Sequence, residues 1–248
     1  MTVASIYEIL DSLSPFSLQA KWDNSGLNLG RLDSVFQEIY LSLELDWKVL
    51  ESISNDSLLI VHHPLIFSPL KSLDTSQYPG NLIQAAIKKN LVLIAMHNNF
   101  DLSHLNEAFA ASLGLDSLGF SLEASQEFSL IYKPSSAIML TSLASHIKAA
   151  LSLEVLRYSG EIDSVINRIF ITCGSNAASY RLASRGDCII TGDLKYHDAM
   201  MANSLGISFI DVPHFESECI FGGLLQGLLK KQGLQARIAN SHNPFRYI

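Results

Sequence analysis

Four short polar motifs, each just beyond an apolar run of strand length, hold the residues whose types and spacing suit chemistry. The first is Leu59-Ile60-Val61-His62-His63-Pro64. Adjacent residues on a continuing strand face opposite ways, but Pro64 disfavours helix at His63 and imposes a turn, so both imidazoles are able to reach one side. The pair is either two metal ligands or one core and one turn histidine. The second motif, Met96-His97-Asn98-Asn99-Phe100-Asp101, ends with an aspartate just ahead of a helix expected from about Ser103. Asp101 there is a helix cap or a ligand, and His97 an outer orienting group or an acid–base group. The third, Asp211-Val212-Pro213-His214-Phe215-Glu216-Ser217-Glu218, spaces His214 and Glu218 four apart, which puts them on one face if the helix has already begun at His214. It reads as a ligand pair, or as a plain helix start with Ser217 capping and acidic residues at the positive dipole end. The fourth, Thr191-Gly192-Asp193-Leu194-Lys195-Tyr196-His197-Asp198, offers Asp193, Lys195 and His197 for substrate contact or proton transfer, or for helix capping.

Taken together, His62, His63, Asp101, His214 and Glu218 exceed the four ligands of a structural zinc and suit two divalent ions about 3.5–4 Å apart. Imidazole and carboxylate without thiolate select Zn, Fe, Mn, Co or Ni. Cys219 adjoins Glu218 but turns about 100° away around a helix, which excludes it. No G-x-x-x-x-G-K-[ST] or G-x-G-x-x-G loop and no G-x-S-x-G elbow occurs, so a phosphate-cradling loop and a serine hydrolase are not supported.

Elements of alternating type must position these motifs. In the first half the periodicity predicts strand 39–43, helix 47–54, strand 57–61, helix 81–89, strand 91–96 and a helix over 103–113. The second half repeats the order with strand 168–172, helix 177–184, strand 187–191, helix 197–205, strand 208–212 and a long helix 217–231. An edge-like strand, 128–132, and a helix, 142–151, lie between. The expected fold is α/β, with two similar lobes, 1–120 and 121–248, mainly parallel sheets, and a dinuclear metal site in the cleft between them. Parallel strands release their loops at one carboxyl edge, which is why motifs distant in sequence are read as one site. Near the N-terminus, Trp22-Asp23-Asn24-Ser25-Gly26-Leu27 reads as a turn with Trp22 as a buried plug.

A chain of 248 residues, 48% hydrophobic and 17% charged, is neither disordered nor short of core, and leaves apolar surface for subunit contacts. Its apolar runs fall far short of the roughly 20 residues that span a bilayer. Val3, Ile6, Ile9, Leu10 and Leu13 make the N-terminus an amphipathic helix and not a signal peptide, so a cytoplasmic location is expected. A net charge of −7 argues against a broad nucleic-acid grip. Lys230, Lys231, Arg237 and Arg246 read as a solvated helix end. The three cysteines, Cys173, Cys188 and Cys219, form no C-x-x-C pair and are expected to be buried thiols.

The chain resembles the NIF-three-like family, whose bacterial members are commonly labelled GTP cyclohydrolase I type 2 homologues. The resemblance spans nearly the whole sequence. It rests on Trp22 through Leu27, Leu43-Glu44-Leu45-Asp46, His62-His63-Pro64, His97 through Asp101, Thr191-Gly192-Asp193, His214 through Glu218, and Asn243-Pro244-Phe245. It implies a dinuclear site on the five residues above, a toroidal homohexamer with sites facing its cavity, and no extra domain between the lobes. It also implies a metal-dependent hydrolase in which activated water attacks a small, nucleotide-like substrate such as GTP. The alternative is a non-catalytic metal-binding protein that delivers metal or assists assembly. Asp193, Tyr196 and His197 stand where relatives usually show a glutamate and paired histidines, Pro213 replaces a glycine, and Asn98 a Thr or Ser.

Overall fold

The computed structural model describes residues 1–246 and residue 248. The chain forms two compact units: residues 1–103 with 221–248, and residues 104–220.

The first unit opens with helix α1 (Val3–Leu13), which buries Val3, Ile6 and Leu10, the stripe its periodicity predicts. Strand β1 (Gly26–Leu29) precedes the repeating part: β2 (Ile39–Ser42), α2 (Trp47–Ser52), β3 (Leu58–Val61), α3 (Gly80–Lys88) and β4 (Val92–Ala95). All residues of β2, β3 and β4 are buried, as befits parallel strands covered on both faces. Asp46 caps α2 by accepting the Val49 N–H at 2.7 Å. Ser42 lies opposite Val61, and Val61 opposite Ala95, so the three strands end level. The residues that follow, Leu43-Glu44, His62-His63 and Met96-His97, therefore leave from one edge.

The helix expected from Ser103 begins earlier. A single turn, α4 (Asn98–Phe100), runs into a π-helical turn over Asp101–Leu105 and then α5 (Asn106–Ser112). Asp101 thus lies inside a helical run and is not the N-cap of a helix starting at Ser103. Wide π turns recur at functional sites because they re-aim side chains without ending the helix.

The second unit continues with β5 (Phe120–Gln126), β6 (Ser129–Pro134), β7 (Ile138–Met139), α6 (Leu140–Ala150), β8 (Arg157–Ser159), β9 (Val165–Ile166), β10 (Ile169–Ile171), β11 (Cys188–Thr191), α7 (Tyr196–Leu205), β12 (Ser208–Asp211) and α8 (His214–Glu218). Its main sheet has the order β5-β6-β10-β11-β12-β8. Only β10-β11 and β11-β12 are parallel; the other pairings are antiparallel. The expectation of mainly parallel sheets therefore fails here, because hairpin β5-β6 and strand β8 cover the edges of a three-stranded parallel core. Residues 177–184 form only a 3-10 turn, Ala177–Arg181, since the Ser179 hydroxyl bonds back to the Asn176 carbonyl and tightens the backbone. Ile171 pairs with Ile190, and Thr191 with Asp211, so these strands also end level and release Cys173-Gly174, Gly192-Asp193 and Pro213-His214 from one edge.

The single helix expected over 217–231 is two helices, α8 and α9 (Phe221–Lys231). Pro213, with φ of −55°, starts α8 three residues early, and the weak helix formers Gly222 and Gly223 stand at the restart. From α9 onward the chain belongs to the first unit, where β13 (Arg237–Ile238) pairs parallel with β2 and completes the sheet β1-β4-β3-β2-β13. The units accordingly differ from lobes 1–120 and 121–248: residues 104–120 pack with the second unit and 221–248 return to the first.

Two smaller expectations fail. Trp22 is 62% exposed and not a plug, and Cys219 is exposed, whereas Cys173 and Cys188 are buried. Among the described residues no helix is long and apolar enough to cross a membrane.

The first unit's core joins Leu59 and Val61 of β3 to Val49, Leu82, Ile83, Ala86 and Leu93. Leu59→Ala is expected to cost about 2–5 kcal/mol in urea unfolding through lost burial and the cavity left behind. Ile87→Ala, on the exposed face of α3, is expected to stay within about 0.5 kcal/mol of the parent.

Candidate metal centre

At the level edge of the first sheet, three imidazoles converge. His62, His63 and His97 present ligand atoms within 4.8 Å of one another. Their ring centroids are 5.1 Å apart for His62 and His63, 5.1 Å for His62 and His97, and 5.9 Å for His63 and His97. The turn at Pro64 thus directs both members of the pair to one side.

Each ring is oriented by an oxygen acceptor on Nδ1. His62 donates Nδ1–H to the Met96 carbonyl at 2.8 Å, His63 to Glu44 Oε2 at 3.0 Å, and His97 to Asp23 Oδ1 at 2.7 Å. Carbonyl and carboxylate oxygens only accept, so Nδ1 carries a proton, and in the neutral ring that leaves the lone pair on Nε2, the tautomer a metal ligand requires. Asp23 is braced in turn. It accepts from the Ser25 hydroxyl at 2.8 Å and the Asn24 and Asn98 N–H groups at 2.8 and 3.2 Å. Burial alone would raise its pKa, but the bonds from His97, Ser25 and Asn24 outweigh it and hold the carboxyl below the usual range. The aspartate remains the charged partner of His97.

Asp101, 7% exposed, places Oδ1 3.5 Å from His62 Nε2. Two ligand atoms each about 2.0–2.2 Å from one ion stand roughly 3.0–3.5 Å apart, which this pair matches.

The second unit builds a like pair. His214 donates Nδ1–H to Asp193 Oδ2 at 2.7 Å, while its Nε2 stands 3.0 Å from Glu218 Oε2. A lone pair aimed at a carboxylate oxygen is repulsive unless a proton or metal ion lies between, and the spacing again fits two ligands of one ion. Glu218 is 2% exposed, a burial that a carboxylate tolerates only with a cationic or hydrogen-bonded partner. Gly174 makes room for this pair. Its φ is +60°, its N–H binds Ser217 Oγ at 2.9 Å, and a Cβ there would overlap Glu218 Oε1. Asp193, at φ +57°, turns its side chain back to His214.

Of the remaining candidates, Lys195 and His197 are exposed at the start of α7, where the Lys195 N–H bonds Asp198 and the His197 ring packs edge-on to Tyr196. The geometry gives them no part in either cluster. Cys219 lies at the end of α8 with its thiol against the Glu216 carbonyl. Sequence reasoning overlooked Asp23, Glu44 and Gly174. Asp23 and Glu44 carried a signal, an acidic residue inside a quoted motif, but their partners lie 74 and 19 residues away.

The profile of the Duf34/NIF3 (NGG1p interacting factor 3) family matches residues 1–244. The chain belongs to the Duf34/NIF3 family. Among similar family proteins, a GTP cyclohydrolase 1 type 2 homolog of Campylobacter jejuni is 43% identical over 247 residues, covering the whole of both chains. A GTP cyclohydrolase 1 type 2 of Helicobacter pylori is 40% identical over 250 residues and covers 99% of each. The crystal structure of a Staphylococcus aureus hypothetical protein superposes with a TM-score of 0.83 at 25% identity, covering 100% of this chain and 99% of that one. The mixed α/β fold is therefore that of Duf34/NIF3 proteins.

Gly174→Ala is expected to destabilise by about 1–3 kcal/mol through backbone strain plus collision with the buried Glu218. Gly233, at φ +76° with nothing within 4 Å of a Cβ, isolates the strain alone, so Gly233→Ala should cost the smaller amount in the same urea titration.

Proposed function

We propose that the chain is a divalent-metal-dependent hydrolase of the GTP cyclohydrolase I type 2 homologue kind, acting on a nucleotide-like small molecule. One observation carries this reading: His62, His63, His97 and His214 all commit Nδ1–H to an oxygen acceptor and so offer Nε2 to a cation, with buried Asp101 and Glu218 beside two of them. The names of the Campylobacter jejuni and Helicobacter pylori relatives support the reaction class.

In this reading His62, His63, Asp101, His214 and Glu218 are the ligands for two divalent ions drawn from Zn, Fe, Mn, Co or Ni. Such a pair supplies a water acidic near pH 7 and a Lewis acid for an electrophilic carbon. The chain's own residues do the rest. Asp23 keeps the His97 proton on Nδ1, so His97 accepts and returns a proton at Nε2. Glu44 and Asp193 fix the rotation of His63 and His214, and the half-exposed carboxylate of Asp193 meets the substrate. The assembly proposed is a toroidal homohexamer of soluble, cytoplasmic chains, checked by light scattering.

Metal per chain, measured by elemental analysis, is expected to reach two in the parent. GTP turnover should vanish with chelator and in Asp101→Ala and Glu218→Ala. A parent that holds two ions yet turns over GTP no faster than those variants would overturn the hydrolase and leave a non-catalytic metal carrier. Removing an acceptor instead of a ligand gives a graded effect. Glu44→Ala and Asp193→Ala should each weaken metal binding about 10–100-fold in competition with a chromophoric chelator, with the fold retained.

A further inference from the structure

We infer that Trp22 and Phe67 form a stacking platform that seats the planar nitrogen heteroaromatic ring of the substrate beside His97, an inference that rests on the small-molecule site proposed above. The two side chains come from separate loops of the first unit and are 62% and 49% exposed. Their ring centroids are 5.9 Å apart. Both rings approach His97 edge-on, Trp22 at 6.5 Å and Phe67 at 5.9 Å. The exposed aromatic surface therefore adjoins the histidine cluster directly.

The loops are held together by specific bonds. Asn24 Nδ2 donates to the Ile66 carbonyl at 2.6 Å, and the Ile66 N–H donates to Asn28 Oδ1 at 3.2 Å. The neighbours of Trp22 also grip the second motif: Asp23 takes the His97 ring proton and Ser25 Oγ accepts the His97 N–H at 3.1 Å. Two large aromatic side chains are thus fixed at the surface by bonded backbone, a costly exposure that burying a ring would relieve.

The occupant follows from size and chemistry. An aromatic side chain buries at most about 150–250 Å², so two of them fall well short of the roughly 800 Å² per partner that a stable protein interface needs. Their planes are tilted 54° apart, so one stacks on the face of a single bicyclic ring while the other meets its edge. Aromatic faces hold a nitrogen heterocycle by stacking, tolerant of its exact substituents. Seated there, the ring lies next to the imidazole that moves the proton.

Tryptophan fluorescence tests this, since Trp22 and Trp47 are the only tryptophans. In metal-loaded Trp47→Phe protein, guanosine 5′-monophosphate is expected to quench Trp22, and ribose 5-phosphate, which lacks the ring, to leave it unchanged. By calorimetry, Trp22→Ala and Phe67→Ala should each weaken guanosine monophosphate about five-fold or more, the low end of a base–aromatic stack. Trp22→Tyr should restore most of the affinity. Equal quenching by both ligands, no quenching by either, or alanine variants that bind as the parent does would overturn the platform. So would a Trp22→Ala protein whose assembly mass falls while its nucleotide affinity holds, because Trp22 would then be an interface residue. The two readings fail separately. GTP turnover with KM unchanged in both alanine variants removes the platform and leaves the hydrolase; Trp22-dependent binding without turnover does the reverse.

Discussion

The constraint on which the site depends is the placement of a single proton on each imidazole. A neutral histidine has one donor and one acceptor nitrogen, and only the partner of one decides what the other does. Here a backbone carbonyl and three carboxylates take Nδ1–H of His62, His63, His97 and His214. Four rings are thereby turned to present Nε2. Without those acceptors the same residues would choose tautomer and rotation by local contacts alone, and a cation would have to reorganise them on binding.

Those acceptors are available because strands end level. Register between β2, β3 and β4 places Glu44 beside His63 and the Met96 carbonyl beside His62, and neither pairing survives a slip of one residue, which would turn every side chain to the opposite face. The second sheet repeats the device with β10, β11 and β12, bringing Gly174, Asp193 and His214 to one edge. Core packing and site geometry are thus one problem: the fully buried LLIV and CIIT runs that fill the sheets also set where the polar motifs emerge.

Most of this was legible in the sequence because parallel strands announce themselves as short apolar runs, and polar residues directly after them have one place to go. The strands bearing the motifs lie within about two residues of their expected bounds. What escaped were features set by partners far away in the chain. The edge strands β5 and β8 are largely exposed, so they lack the apolar signature of a central strand. The return of the chain to the first sheet is marked by β13, two residues long and exposed. Trp22 misled for a related reason: a tryptophan in a turn is read as buried by its hydrophobicity, whereas the bonds of Asn24 and Asp23 to distant loops hold it at the surface.

The residues at positions 193 and 213 follow the same physics. Position 193 has φ of +57°, a left-handed conformation that aspartate tolerates better than most side chains because its short carboxylate bonds locally. A longer glutamate there would have to fold back to meet His214 Nδ1, which Asp193 reaches at 2.7 Å. Proline at 213 costs no hydrogen bond, since the first N–H groups of a helix have no intrahelical partner, and its fixed φ starts α8 at His214. One turn of helix later stands Glu218. Moving the helix start from the expected Ser217 to His214 is what makes the i, i+4 spacing real, because only a helix already running at His214 puts its ring and the Glu218 carboxylate on one face.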